Sequence, residues 1–284
     1  MSSAKQRQVK RGADNECRAP PDVCNIEGHH AFRKRRNPGR VPEAGTVPGS
    51  SSTRLPVHAG MSMIDPAVIA DRLTLERLRS YLQSSGGDLD GALKLYQWNS
   101  LMSGALHEDM GRVEVVLRNA FDQALTVHGQ SSGWPTTWYQ RHALFPGKHG
   151  QRAQADISTA RERATRRNTV PEEQGKVIAE LTFGFWRFLC TGPYLTSLWV
   201  PVLAAAFPNH PDAGDPRRVR ADVDDRVQRV HFVRNRVAHH EPIHHRDLQR
   251  DHRGMIDLLA WICTDTAEWA TGSSRANGVL AARP

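Results

Sequence analysis

The segment from Val233 to Ile243 places three chemically useful side chains close together. It reads Val-Arg-Asn-Arg-Val-Ala-His-His-Glu-Pro-Ile, so that a guanidinium (Arg234), an amide (Asn235) and an imidazole (His239) fall within six residues. Histidine has a pKa near neutrality, which suits proton transfer. A guanidinium fork binds anionic oxygens, and an amide can orient the imidazole. The three side chains therefore predict acid–base chemistry on an anionic substrate.

Helical periodicity places further charges on faces that should be buried. Glu114 and Arg118 interrupt the apolar face of one helical pattern, and Arg234 interrupts that of another. The two apolar faces consist of Met110, Leu117, Phe121 and Leu125, and of Val223, Val227, Val230 and Val237. Because a buried charge without a partner is costly, we expect Glu114 to face Arg234 or Arg118. Such a pair is either a structural ion pair between core helices or part of a functional site.

Three blocks of the sequence resemble one protein family. Arg234, Asn235 and His239 match the Arg-Asn-x-x-x-His signature of HEPN ribonucleases, and the His-Glu-Pro-Ile after His239 is similar to its continuation in Abi-like proteins of bacterial phage defence. The other blocks are residues 96–99 with 113–120, which resemble the N-terminal helix of that branch, and residues 176–188, which resemble its central helix. The resemblance covers roughly residues 65–270. Its specificity comes from the order of the blocks, since an Arg-x4-His spacing alone is common by chance.

The resemblance implies an all-α fold, with a HEPN-like helical bundle in residues 61–284; residues 1–60 before it form a basic segment whose composition predicts disorder. It implies a metal-independent endoribonuclease of abortive infection, toxin-like and without a cofactor, which cleaves RNA through attack by the ribose 2′-hydroxyl. The implied partners are RNA (tRNA, mRNA or phage RNA), a second copy of the chain, and an antitoxin. The implied catalytic residues are Arg234, Asn235 and His239, with Glu114, Arg118 and His240 in support.

The spacing within the motif raises a geometric difficulty. Five residues apart on an ideal helix, Arg234 and His239 point about 140° away from each other. Either the end of the helix loosens, or the site is completed across a dimer interface, which the resemblance favours. Phe183 and Trp186 lie off the apolar stripe of their helical pattern. We therefore expect them to be exposed and to serve that interface. Additional core packing is an equal alternative.

Two other functions stay open. The histidines near the motif could bind zinc; they are His239, His240, His244, His245 and His252. No cysteine lies near them and their spacing fits no standard site, so we expect no metal, with His240, His244 and His245 facing solvent or substrate. The second alternative is a non-catalytic HEPN-like RNA-binding or sensing module that keeps the motif without turnover.

The remaining sequence indicates how the chain is organised. The net charge is +8, but residues 1–60 hold 11 Lys/Arg against 5 Asp/Glu, so the charge says little about the rest. Their Pro-, Gly-, Ser- and Arg-rich composition predicts disorder. The basic run at residues 33–36 is a nucleic-acid patch or a solvated tail, and translation from Met61 or Met63 is a further alternative. Four cysteines without a CxxC pair, no signal-peptide pattern and no bilayer-length apolar stretch indicate a cytoplasmic protein with no membrane association.

Periodicity and capping residues predict seven helices. They are residues 67–83, 88–128 with Asp88 as N-cap and a kink near Gly104, 151–167, one that Pro171 opens, a short apolar one after Gly192-Pro193 that ends at Phe207, 215–240 with Asp215 as N-cap and Pro216 in its first turn, and 246–269.

Overall fold

The structure, a computed structural model, describes residues 65–284, and these form helices and connecting segments without any strand. The all-α prediction is confirmed. The helices are α1 (Pro66–Leu73), α2 (Leu75–Ser84), α3 (Leu89–Ser131), α4 (Gly147–Ala164), α5 (Gln174–Glu180), α6 (Phe183–Leu189), α7 (Pro216–Ala238), α8 (Leu248–Ile262), α9 (Thr264–Ser273) and α10 (Ala276–Ala281). Short 3-10 or π turns occupy Trp138–Gln140, His142–Leu144, Gly192–Tyr194, Leu195–Trp199 and Leu203–Ala206.

The long helix α3 is the element against which most others pack. It begins where the sequence predicts, because the Asp88 carboxylate accepts a hydrogen bond of 2.9 Å from the Gly91 amide. Its 43 residues span roughly 64 Å. The helix is continuous through Gly104, where a kink was predicted. Helices α2, α7, α8 and α10 pack along it.

An aromatic cluster fills the core where the second half of α3 meets α6. The Phe121 ring lies 6.2 Å from that of Trp186, 5.8 Å from Trp199 and 5.9 Å from Phe207, measured between centroids. Trp186 is fully buried and Phe183 is only 3% exposed. The expectation that these two rings are exposed is therefore wrong, and the alternative, additional core packing, is confirmed.

Their burial follows from a break that the apolar pattern did not reveal. The chain bends at Leu181, and Thr182 caps a new helix by accepting a hydrogen bond from the Phe185 amide. Since α5 and α6 are separate helices, a stripe drawn along one continuous helix does not apply to both. Pro171 also opens no helix, because α5 begins at Gln174.

Two other predicted helices are each divided into two shorter ones. Thr74 has a positive φ of 72° and separates α1 from α2, with its hydroxyl accepting from the Arg77 amide. Cys263 adopts an extended conformation between α8 and α9. At Thr74 a side-chain hydrogen bond to the backbone competes with continued helix, whereas at Cys263 the extended backbone marks the break without a side-chain cap.

Helix α7 carries the motif and begins as predicted. The Asp215 carboxylate accepts hydrogen bonds from the amides of Arg217 and Arg218, and Pro216 occupies the first turn. The helix packs against α3, α6 and α8. Its buried residues are Val219, Val223, Val227, Val230 and Val233. The burial stops one turn before the helix ends.

Within residues 65–284 there is no helix with the length and apolar character needed to cross a bilayer. The predictions made for residues 1–60, including the basic run at 33–36 and the alternative starts at Met61 and Met63, lie outside the described residues.

Candidate active site

The motif occupies the exposed last turn of α7. Arg234 and His239 are exposed and Asn235 is half-buried. Within residues 65–284 none of their side chains makes a hydrogen bond or an ion pair, so all three are available to a ligand. The His239 amide still donates to the Asn235 carbonyl at 3.0 Å, which is the normal α-helical hydrogen bond. The helix end therefore does not loosen, and Arg234 and His239 leave α7 in different directions.

The helix ends in a Schellman motif with a histidine at its left-handed position. The Glu241 amide donates to the Arg236 carbonyl at 2.7 Å, and the His240 amide donates to the Val237 carbonyl at 3.0 Å. His240 has a φ of 55°, at a position that glycine usually occupies. A non-glycine residue in this region stores about 1 kcal/mol of strain or more. This conformation fixes the direction in which the His240 imidazole leaves the chain.

Two residues hold the turn after the motif in place. Arg236 donates from Nε and Nη2 to the Pro242 carbonyl at 3.1 and 2.9 Å, and its Nη1 lies 3.2 Å from a Glu241 carboxylate oxygen. The Asn99 Oδ1 of α3 accepts from the amide of Ile243 at 2.8 Å and from the next amide at 3.0 Å. Sequence reasoning gave neither Arg236 nor Asn99 a role. The signal for Asn99 was a polar residue on an apolar face of α3, inside the block at residues 96–99.

The expected pairing of the mid-stripe charges does not occur. Glu114 and Arg118 are half-buried and Arg234 is exposed; within the described residues no two of them come within ion-pair distance. Arg118 Nε is buried without a hydrogen-bond partner. The expectation fails because α7 stops being covered at Val233, so solvent rather than a carboxylate stabilises the charge of Arg234.

A basic cluster lies one turn before the motif, between α6 and α7. The Phe183 ring is stacked against the His231 ring at 6.1 Å, and a methyl group added at Gly184 would lie 3.9 Å from His231 Nε2. Arg187 follows on the same face of α6, and its buried Nε has no hydrogen-bond partner among residues 65–284. Burial lowers the pKa of His231, and the charges of Arg187 and Arg234 lower it further. We name Arg187, His231 and Arg234 the basic cluster; sequence reasoning missed its first two members.

A cavity of about 440 Å³ adjoins the other side of the motif. It lies between α2, the first half of α3 and the end of α7, and His240 lines it whereas Arg234, Asn235 and His239 do not. Burial raises the pKa of Tyr81, which also lines the cavity, to about 12. The motif thus lies between the basic cluster and this cavity.

The neighbouring histidines have separate surroundings. His244 is buried, with its ring 4.7 Å from that of Tyr81, so its expected solvent-facing position is wrong; His240 and His245 are exposed. His252 is buried beside Asp109, 3.3 Å away. Among the residues that the structure describes, no three His, Cys, Asp or Glu side chains converge as metal ligands would.

Comparisons with protein-family models, with curated proteins and with solved structures found no match to this chain.

Proposed function

We propose that this chain is a metal-independent endoribonuclease of bacterial phage defence, whose active site consists of Arg234, Asn235 and His239. The observation that carries the proposal is the state of these side chains. Among residues 65–284 they have no hydrogen-bond or ion-pair partner, and they lie on a helix end whose following turn is hydrogen-bonded by Asn99 and Arg236. Rigid backbone under free, chemically active side chains is what a preorganised site requires.

The chemistry assigns a separate role to each group. The His239 imidazole accepts the proton of a ribose 2′-hydroxyl, whose oxygen then attacks the adjacent phosphorus. The bond from phosphorus to the 5′-oxygen breaks, and that oxygen takes up a proton. Arg234 donates to the nonbridging oxygens as their charge grows, and Asn235 orients the imidazole or a phosphate oxygen. The products are a 2′,3′-cyclic phosphate and a 5′-hydroxyl.

The basic cluster supports an RNA substrate. Neither Arg187 nor Arg234 pairs with a carboxylate within residues 65–284, so both guanidinium groups can bind phosphates along a strand that passes the motif. Arg118, whose Nε is also unpartnered, is a supporting group on α3, with Glu114 one turn before it.

The different directions of Arg234 and His239 favour a site shared between two copies. In a homodimer with twofold symmetry, the motif of one copy can face the motif of the other, so that Arg234 of one acts with His239 of the second. Phe232 on the last turns of α7 is 48% exposed, with the guanidinium groups of Arg236 and Arg246 over its ring at 5.7 and 4.5 Å. An exposed aromatic ring beside the motif suits such an interface.

The wider role rests on the Abi-like resemblance. It places the protein in the cytoplasm, as a toxin-like ribonuclease that acts on tRNA, mRNA or phage RNA and has an antitoxin to restrain it. None of these assignments needs a metal or an organic cofactor.

A non-catalytic RNA-binding module is the second candidate. One observation favours it: the hydrogen bond from the His239 amide to the Asn235 carbonyl keeps this turn helical, so within a single copy Arg234 and His239 point about 140° away from each other. A monomer would bind RNA through the basic cluster and leave it intact.

The test is RNA cleavage by the purified full-length chain in the presence of EDTA. The wild type should cleave RNA to 2′,3′-cyclic phosphate and 5′-hydroxyl ends, which end-specific ligation and sequencing distinguish. His239→Ala should lower the rate by roughly a hundredfold or more. His142→Ala, an exposed histidine in the segment between α3 and α4, is the matched control and should cleave normally. Binding without cleavage by the wild type would favour the second candidate, and cleavage that needs an added metal would refute the mechanism.

A further inference from the structure

The cavity beside the motif is lined by residues to which the proposed cleavage chemistry gives no role. Its volume of about 440 Å³ lies within the range of small-molecule sites. It is lined by Arg77, Tyr81, Tyr96, Asn99, Ser100, Ser103, Gly104, His107, Val237, Ala238 and His240. No carboxylate is among these residues, so the cavity suits a neutral or anionic ligand.

Two polar groups in the lining, the buried Tyr81 hydroxyl and the Asn99 amide nitrogen, make no hydrogen bond within residues 65–284. Tyr81 is fully buried, and its hydroxyl has no hydrogen-bond partner within residues 65–284. Asn99 is 5% exposed, and its Oδ1 is occupied by the amides of Ile243 and His244. The Asn99 amide nitrogen donates no hydrogen bond to the described residues. Unpartnered buried polar groups are rare and call for a ligand or water to complete them.

The rim and the wall add charge and aromatic surface. Arg77 is half-buried and His107 and His240 are exposed, so up to three cationic groups surround the opening. Tyr96 packs edge-on against Tyr81 at 5.2 Å, which gives one wall an aromatic character. A base that enters such a cavity meets polar donors and an aromatic wall, while its phosphate stays at a basic rim.

We propose that this cavity binds a nucleobase of the RNA strand next to the cleaved bond, and that it prefers the keto bases guanine and uracil over adenine and cytosine. The proposal rests on the proposed ribonuclease function for its substrate class. Because His240 lines the cavity and directly follows His239, a base in the cavity belongs to a nucleotide beside the reacting phosphate.

The preference follows from the direction of the available hydrogen bonds. With Asn99 Oδ1 already occupied, the amide group offers only N–H donors to the cavity. Guanine presents an acceptor at O6 and uracil presents one at O4, whereas adenine and cytosine present amino donors at the corresponding positions. Amino groups aimed at the Asn99 donors would leave both sides unpaired, which is costly in a buried site.

The experiment measures binding of GMP, UMP, AMP, CMP and inorganic phosphate to the full-length chain by titration calorimetry. GMP or UMP should bind at least about tenfold more tightly than AMP, CMP and phosphate, which corresponds to roughly one additional buried hydrogen bond. Equal binding of all four nucleotides and phosphate would show that only charge at the rim is recognised, and would overturn the proposal.

Two variants locate the binding within the cavity. Tyr81→Phe removes only the hydroxyl, and Asn99→Asp removes the amide donors while keeping an oxygen for the Ile243 and His244 amides. Each should weaken binding of the preferred nucleotide by roughly fivefold or more. Tyr139→Phe is the matched control, because that hydroxyl bonds to Glu172, which does not line the cavity, and it should leave binding unchanged. Unchanged binding in both cavity variants, with circular dichroism showing both folded, would also overturn the proposal.

The two proposals fail in distinguishable ways. RNA cleavage with no base preference in nucleotide binding would remove the cavity proposal and leave the ribonuclease. A keto-base preference that depends on Tyr81, without RNA cleavage, would keep the cavity and favour the binding module.

Discussion

The arginines at the two ends of α7 differ in their ion pairing. From Arg217 to Arg229, four of the five arginines lie within ion-pair distance of a carboxylate: Arg218 with Asp222 at 2.9 Å, Arg220 with Asp224 at 3.2 Å, Arg226 with Asp257 at 3.1 Å and Arg229 with Asp225 at 3.0 Å. In the last turns, Arg234 has no such partner among residues 65–284. Three of these four pairs lie within α7 and the fourth joins Arg226 to α8. At the other end Arg236 is paired with Glu241, whereas Arg234 is left available to a ligand.

Backbone conformation follows the same division. The first turn of α7 is capped by Asp215, a favourable arrangement, whereas its end places His240 in the left-handed region. Natural proteins tolerate such strain mainly where function requires it. The difference fits the proposal that ligand binding, and not stability alone, determines the conformation at the end of this helix.

The largest expected effects come from replacing one arginine in each half of α7 by alanine. Arg234→Ala should lower cleavage by roughly a hundredfold, the usual effect of losing a group that stabilises transition-state charge, with stability changed by less than about 0.5 kcal/mol. Arg226→Ala should leave cleavage intact. It should cost about 1–2 kcal/mol, because it removes the pair with Asp257 and the contact with the Trp261 ring at 4.1 Å. Cleavage rates beside urea denaturation curves measure both. The reverse assignment of effects would invalidate the comparison.

Much of α7 and α3 could be predicted from the sequence because caps and periodicity are local. Asp88 and Asp215 begin their helices as predicted. The exposure of Arg234 could not be predicted, since it depends on where the neighbouring helices stop covering α7. For the same reason the expected partnership of Glu114 failed, and the positioning roles of Asn99 and Arg236 depend on contacts between elements far apart in sequence.

That correction changes the expected effect of removing Glu114. If Glu114 were the partner of a buried cation, its removal would lower the free energy of unfolding by about 3 kcal/mol or more. Because it is half-buried and unpaired within the described residues, Glu114→Ala should instead cost less than about 1 kcal/mol. Chemical denaturation measures the difference. A loss of about 3 kcal/mol would mean that Glu114 neutralises a buried cation after all.

The strain at His240 provides a test in which a substitution should raise the stability of the protein instead of lowering it. His240→Gly should stabilise the protein by about 0.5–1 kcal/mol, because glycine adopts the left-handed conformation without steric cost. It should also weaken nucleotide binding by removing the imidazole from the cavity rim. His240→Ala, which keeps the strain and loses the imidazole, is the control. If glycine destabilises the protein relative to alanine, the strain assignment is incorrect.

A smaller effect is expected from pH. The pKa of His231 is lowered in the folded chain by burial and by Arg187 and Arg234, so the unfolded chain binds its proton more readily. Stability should therefore decrease as the pH falls below about 6.5, the ordinary histidine value. Burial lowers the pKa values of His244 and His245 in the same direction. His231→Gln should reduce this decrease without abolishing it. An identical pH dependence in wild type and variant would argue that burial, Arg187 and Arg234 do not lower the pKa of His231.

The central claim is that Arg234 of one copy acts with His239 of another, and mixing two inactive variants tests it most directly. Arg234→Ala and His239→Ala should each lose cleavage alone. After unfolding and refolding together, half of the dimers carry one intact site, so about a quarter of the wild-type activity should return. A mixture that forms mixed dimers, shown by native mass spectrometry, yet stays as inactive as its components would contradict the shared site.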